Sequence, residues 1–142
     1  MKIAFGPGLG PDAAASGYLM APIRFQSGDA FVDTDDSMVV ISATQLMDEM
    51  AASVLRKSFR TYSFSLIDSP RFVLFKRVAP GLISLAYGPL ESAPVEDWEL
   101  AQALLDGATE FRSRIVEHLP QGDPARLGFL SALEEFEELF GH

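Results

Sequence analysis

Cysteine is absent from the 142 residues. That excludes disulfides, thiolate nucleophiles and cysteine-ligated metal sites, although it does not by itself assign a compartment. Histidine is nearly absent too, since the chain has only His118 and His142. Any Ser-His-Asp relay would have to be built on His118, where a position at the end of a predicted helix has a simpler cause in the negative helix terminus. No HExxH, HxxxH or CxxC spacing occurs, so no metal site and no cofactor are expected. No apolar run approaches the roughly 18 residues that span a bilayer. The start, Met1 to Asp12, has neither a charged segment leading into a long apolar stretch nor a cleavage pattern. A soluble, cytoplasmic protein is the expectation.

Basic charge is also scarce, at 11 Lys and Arg against 20 Asp and Glu, for a net charge of −9. It is sorted along the chain. Met1 to Leu55 holds seven acids and two bases, Arg56 to Arg77 one acid and six bases, and Glu91 to His142 twelve acids and three bases. So acidic a chain repels phosphates and anionic headgroups, which argues against nucleic-acid and membrane partners and for a basic protein partner. A hydrophobic content of 48% is ordinary for a single globular domain, residues 1–142, which at this length buries about two-thirds of its surface.

The pattern predicts an α+β fold in the order ββ(β)αβββαα: an antiparallel β-meander with one helix before it and two after it. Lys2 to Phe5 reads as a strand, and residues 6–22, rich in Gly, Pro and Ala, as a loop or arm. Ile23 to Gln26 and Ala30 to Asp33 flank Ser27-Gly28-Asp29 as a hairpin, and Met38 to Ile41 continues as a short strand. Ser42 and Gln45 form a capping-box arrangement, with Asp48 and Glu49 placed near the positive helix end. Leu46, Met47, Met50, Val54 and Leu55 form that helix's apolar stripe. Period two then takes over in Thr61 to Ile67, Arg71 to Val78 and Leu82 to Tyr87, joined by Asp68-Ser69-Pro70 and Pro80-Gly81 turns. Two helices close the chain. Ser92 and Pro94 open the first and Pro120 ends it, while Asp123-Pro124 caps the second. Gly107 and Gly128 each weaken their helix by about 1 kcal/mol, which suggests close packing at both points.

The chemical motifs of the chain are near misses. Gly6-Pro7-Gly8-Leu9-Gly10 has the glycine density of a phosphate loop, but its prolines remove amide donors and no Gly-Lys-Ser/Thr follows. Asp33-Thr34-Asp35-Asp36 after Phe31-Val32 resembles the DxD motif of haloacid-dehalogenase-type phosphatases. It fails as an EF-hand loop because Met38 stands at the glycine position and Thr44 at that of the bidentate glutamate. This acidic turn carries the alternative reading, a small ligand-binding domain or a metal-dependent phosphohydrolase organised around Asp33 to Asp36.

Two surface stripes remain. At about 100° per residue, Glu99, Asp106, Glu110 and Glu117 fall within roughly 40° of one another, opposite the apolar stripe, with Glu96 beside them. Glu134, Glu135 and Glu138 of the last helix extend this into a candidate partner-binding surface. The basic stripe, Arg56, Lys57, Arg60, Arg71, Lys76 and Arg77, is expected to pair internally with acids. Trp98 and Tyr87 are aromatic anchors if exposed.

A small, cysteine-free, acidic α+β chain with a meander, flanking helices and no catalytic set resembles, in general character, the immunity proteins of bacterial polymorphic-toxin and contact-dependent inhibition systems. The resemblance implies a non-enzymatic inhibitor that covers a toxin's working surface, here through its acidic ridge. A homodimer burying the Phe-rich last helix is the other association considered, beside a monomer.

Overall fold

The structure, a computed structural model, describes residues 1–54, 60–66, 70–88 and 90–140. Strand β1 (Lys2–Phe5) is followed by a long excursion, the two-residue strand β2 (Met20–Ala21), and the hairpin of β3 (Ile23–Ser27) and β4 (Ala30–Asp33). The Gly28-Asp29 turn places Ser27 opposite Ala30 and Arg24 opposite Asp33. β1 joins the other edge of β3 antiparallel, with Ile3 opposite Phe25 and Phe5 opposite Ile23. All four of these side chains are buried, as a period of two on a one-sided sheet requires.

The strand expected over Met38 to Ile41 is instead a junction. Strand β5 (Ser37–Met38) pairs with β2, and helix α1 (Val39–Glu49) starts at once. Val39, Val40, Ala43, Leu46 and Met47 complete one buried helical face, and burying that face overrides the β-preference of the two valines. Ser42 is therefore no cap: it is buried inside the helix, its Oγ 3.0 Å from that of Ser37. Asp48 and Glu49 fall in the last turn of α1 rather than near its positive end, ahead of a π-helical turn, Met50–Val54. Burial first and the charge of Glu49 second raise the Asp48 carboxyl pKa. Met50 is buried, whereas the Val54 side chain and Leu55 lie outside the described residues.

The meander forms as expected from β6 (Thr61–Ser65), β7 (Phe72–Ala79) and β8 (Leu82–Tyr87). Ile67, Asp68 and Ser69 lie outside the described residues. Gly81 takes φ +76°, the left-handed conformation that the third position of a type II turn needs. Val73 and Phe75 of β7 point inward and Phe72, Lys76 and Val78 outward. Two further short strands, β9 (Leu90–Glu91) and β10 (Val95–Glu96), both return along β8. The sheet order is β10-β8-β7-β6, with β9 also on β8. This moves the helix opening from Ser92 and Pro94 to Asp97. Ser92 is buried, donating its N–H to Leu85 O at 2.7 Å and accepting the Leu85 N–H on its Oγ at 2.9 Å.

Helix α2 (Asp97–Arg114) runs into a 3-10 turn, Val116–His118, and helix α3 (Pro124–Phe140) follows. α2 lies against β1 and α3, and α3 against α1. Phe111 of α2 joins these layers, its ring 5.7 Å from Phe5 of β1 and 5.7 Å from Phe129 of α3. Asp123 caps α3 by accepting the Ala125 N–H on Oδ1 at 2.9 Å, and its Oδ2 accepts the Gly17 N–H at 2.9 Å. The excursion over 6–22 is thus a fastened loop. The Phe-rich face of α3, which a homodimer would have to bury, is spent on the core: Phe129, Leu133 and Phe136 are inaccessible.

The two helical glycines differ. A Cβ on Gly107 would stand 2.2 Å from the carbonyl oxygen of Ile3, so β1 lies directly on the helix backbone there. A Cβ on Gly128 would meet nothing within 4 Å, and the close packing expected there is absent. Gly107→Ala should therefore destabilise by about 1–3 kcal/mol as β1 is pushed away, whereas Gly128→Ala should stabilise by about 0.5–1 kcal/mol. Chemical unfolding of the two variants reads these opposite signs. Asp48→Asn should stabilise at neutral pH. The raised folded pKa means that Asp48 binds its proton more tightly when folded, so its contribution falls as pH rises through the window above the unfolded carboxyl value. The advantage of the variant should vanish on acidification below that window, as melting temperatures across pH would show.

Candidate protein-binding face

Arg114, at the end of α2, organises the surface around it. Its Nη1 donates to Gly6 O at 2.9 Å and Leu9 O at 2.8 Å, and its Nη2 donates to Phe5 O at 2.7 Å. Nε and Nη2 also form a fork to Glu110, at 2.5 and 3.1 Å. One guanidinium thereby closes the end of β1 and the loop after it onto the helix through three carbonyls, a task suited to its fixed planar set of donors.

Asp106 and Glu110 are exposed on the outer face of α2 and Glu99 is half-exposed, as the helical spacing predicted. Asp106 accepts a hydrogen bond from Gln102 Nε2 at 2.8 Å. Glu117 departs from the ridge. The α-helix ends at Arg114, so Glu117 sits in the 3-10 turn, whose tighter winding breaks the alignment. It pairs there with Arg112 at 3.4 Å. Glu96 is exposed just before α2, and its carboxylate accepts the indole N–H of Trp98.

Glu134, Glu135 and Glu138 are all exposed on α3, but they do not all continue the ridge. Glu135 turns toward α1, lining a small crevice with Met47, Asp48 and Ala51. Glu137, which helical spacing along α2 alone leaves out of the ridge, reaches α2. It borders an open groove of about 710 Å³ with Asp106, Thr109, Glu110, Ser113 and Arg114. Its position directly after buried Phe136 put it at the flank of the apolar stripe. The signal that would have found it is knowledge of which flank faces α2.

Asp33 to Asp36 do not gather around a common point. Asp33 forms a fork with Arg24 at 2.7 and 3.0 Å, which raises the Arg24 pKa chiefly through that hydrogen bond. Thr34 is buried, its Oγ1 accepting the Ile23 N–H at 2.9 Å. Asp35 approaches Arg71 at 3.7 Å, and its backbone N–H donates to Tyr87 Oη at 2.8 Å. Tyr87 is accordingly buried and ties the five-stranded sheet to the segment after β4, so it is no exposed anchor. Among the described residues, no three His, Asp or Glu side chains converge to hold a metal ion. His118 lies exposed in the 3-10 turn, and His142 is outside the described residues.

The basic stripe is partly spent on internal pairing. Arg77 meets Asp97 at 3.0 Å with both side chains largely covered, and Arg71 meets Asp35. Arg60 and Lys76 are exposed, and Arg56 and Lys57 lie outside the described residues. Trp98, by contrast, is 65% exposed. It borders a concavity of about 600 Å³ with Pro80, Leu82, Glu96, Ala101 and Phe140.

Comparison with protein-family models, curated proteins and solved structures finds no match for this chain. Among the described residues, no helix is long and apolar enough to cross a membrane.

Arg114→Lys keeps the charge but cannot reach three carbonyls and a carboxylate at once. It should cost about 2–3 kcal/mol of folding stability and speed amide exchange over Gly6 to Gly10. Hydrogen exchange followed by mass spectrometry checks the second outcome directly.

Proposed function

We propose that this is a non-enzymatic binding protein, an immunity-like inhibitor that docks a basic cognate protein on its α2–α3 face. The observation that carries this reading is the open groove where Asp106, Glu110 and Glu137 stand together, while Arg114, the one cation on its wall among the described residues, is already engaged. Glu99 and Glu96 prolong the negative field toward the start of α2. Such a face attracts Lys and Arg side chains and accelerates their encounter, and its openness suits a protein surface better than an enclosed small molecule. A toxin held there would be inhibited by coverage of its working surface. The alternative built on Asp33 to Asp36 draws little support, because Asp33 and Asp35 turn to different arginines.

The test reverses charge while sparing the Arg114 clamp. Glu99→Lys/Asp106→Lys/Glu137→Lys should keep the unfolding midpoint and weaken binding to a basic cognate protein by about tenfold or more. The first candidate is the product of the adjacent gene, titrated calorimetrically at low and high salt. Wild-type affinity should fall steeply with salt and that of the variant much less. Equal affinity of the two proteins would remove this face as the interface.

A further inference from the structure

We infer that the concavity beside Trp98 is a socket for an arginine side chain of the partner, at the amino-terminal end of the acidic face. The inference rests on the reading of that face as the docking surface and names the anchor it uses. Trp98 is the only tryptophan of the chain and one of its most exposed large side chains, at 65%. It sits on the first turn of α2, and its indole N–H donates to the Glu96 carboxylate. An indole tethered in this way loses less freedom on association than an untethered one, which favours its use as an interface anchor.

The surrounding groups select the occupant. Pro80, Leu82 and Phe140 supply an apolar wall that suits the methylene stem of a long cationic side chain. A guanidinium stacks on an indole face, and the Glu96 carboxylate keeps acceptor capacity after taking one hydrogen bond, so it can receive a fork from the same guanidinium. A purely apolar anchor would desolvate Glu96 without a cationic partner, and an anion would face both Glu96 and Asp97, which line the concavity. Asp97, the other carboxylate on the wall, is already engaged by Arg77 at 3.0 Å. Arg60 lines an adjoining recess with Arg77 and Val78, which meets this one at the Pro80-Gly81 turn. The site therefore presents one aromatic face and one accessible carboxylate to an incoming arginine.

The single tryptophan makes the test direct. A dye-labelled hexa-arginine peptide is titrated into the intact protein at low salt, with peptide anisotropy and Trp98 emission recorded together. The two signals should saturate together, hexa-lysine should bind more weakly, and Trp98→Ala should lower hexa-arginine affinity about three- to tenfold. Trp98→Phe should recover part of the loss. Because Trp98 is mostly exposed, the unfolding midpoints of these variants should match the wild type. Peptide binding with unchanged Trp98 emission and undiminished affinity of Trp98→Ala would overturn the socket and leave the acidic face standing. No peptide binding at all would overturn both.

Discussion

The contact on which the rest depends is the approach of β1 to α2. Gly107 lets the Ile3 carbonyl reach the helix backbone, and Arg114, two turns further along, grips the carbonyls of Phe5, Gly6 and Leu9. The guanidinium adds a charged donor to each of these carbonyls, a stronger hydrogen bond than a neutral donor makes. The same approach brings Phe5 against Phe111 and fastens the start of the glycine-rich excursion, whose far end is held by Asp123 at the cap of α3. Two anchors from two helices thus turn a segment of low intrinsic order into part of the fold.

That arrangement also decides where charge is left over. Arg24, Arg71, Arg77, Arg112 and Arg114 are each paired with an acid, and Arg126 donates to the carbonyls of Glu117 and Leu119. The exposed pairs among these contribute only about 0–1 kcal/mol each to stability, but all of them remove positive partners that could neutralise other acids. The surplus acid collects on the outer side of α2 and the adjoining flank of α3. Around Trp98 it borders an apolar concavity, so one edge of the molecule offers charge and an aromatic surface together.

Much of the fold was legible because it is local. Alternation in Val73 and Phe75, the Pro80-Gly81 turn and the Asp123-Pro124 cap each act through neighbouring residues; the meander and the last helix stand where they were expected, and the helix before it is present but shorter at both ends. The misreadings share a different cause. Val39 and Val40 have β-preference but lie on a buried helical face, and Ser92 has capping chemistry but is claimed by Leu85 of the adjacent strand. Glu117 fitted a helical wheel that ends at Arg114. For the valines and Ser92 a tertiary partner outweighed a local propensity worth about 1 kcal/mol or less.

The acidic ridge followed the same division. Glu99, Asp106 and Glu110 could be placed on one face because helical geometry orders residues along a single element. Which acid of α3 faces them, which arginine is already occupied, and which of Tyr87 and Trp98 is exposed depend on how separate elements are docked. The amino-acid sequence by itself determined the α+β character, the central meander, the excess of negative charge and the outward side of α2, all consequences of short-range periodicity and composition. Only the tertiary structure decided that Glu137 joins the ridge, that Arg114 is consumed by the loop and that Trp98 stands beside a cavity, because those outcomes are set by contacts between residues far apart in the chain.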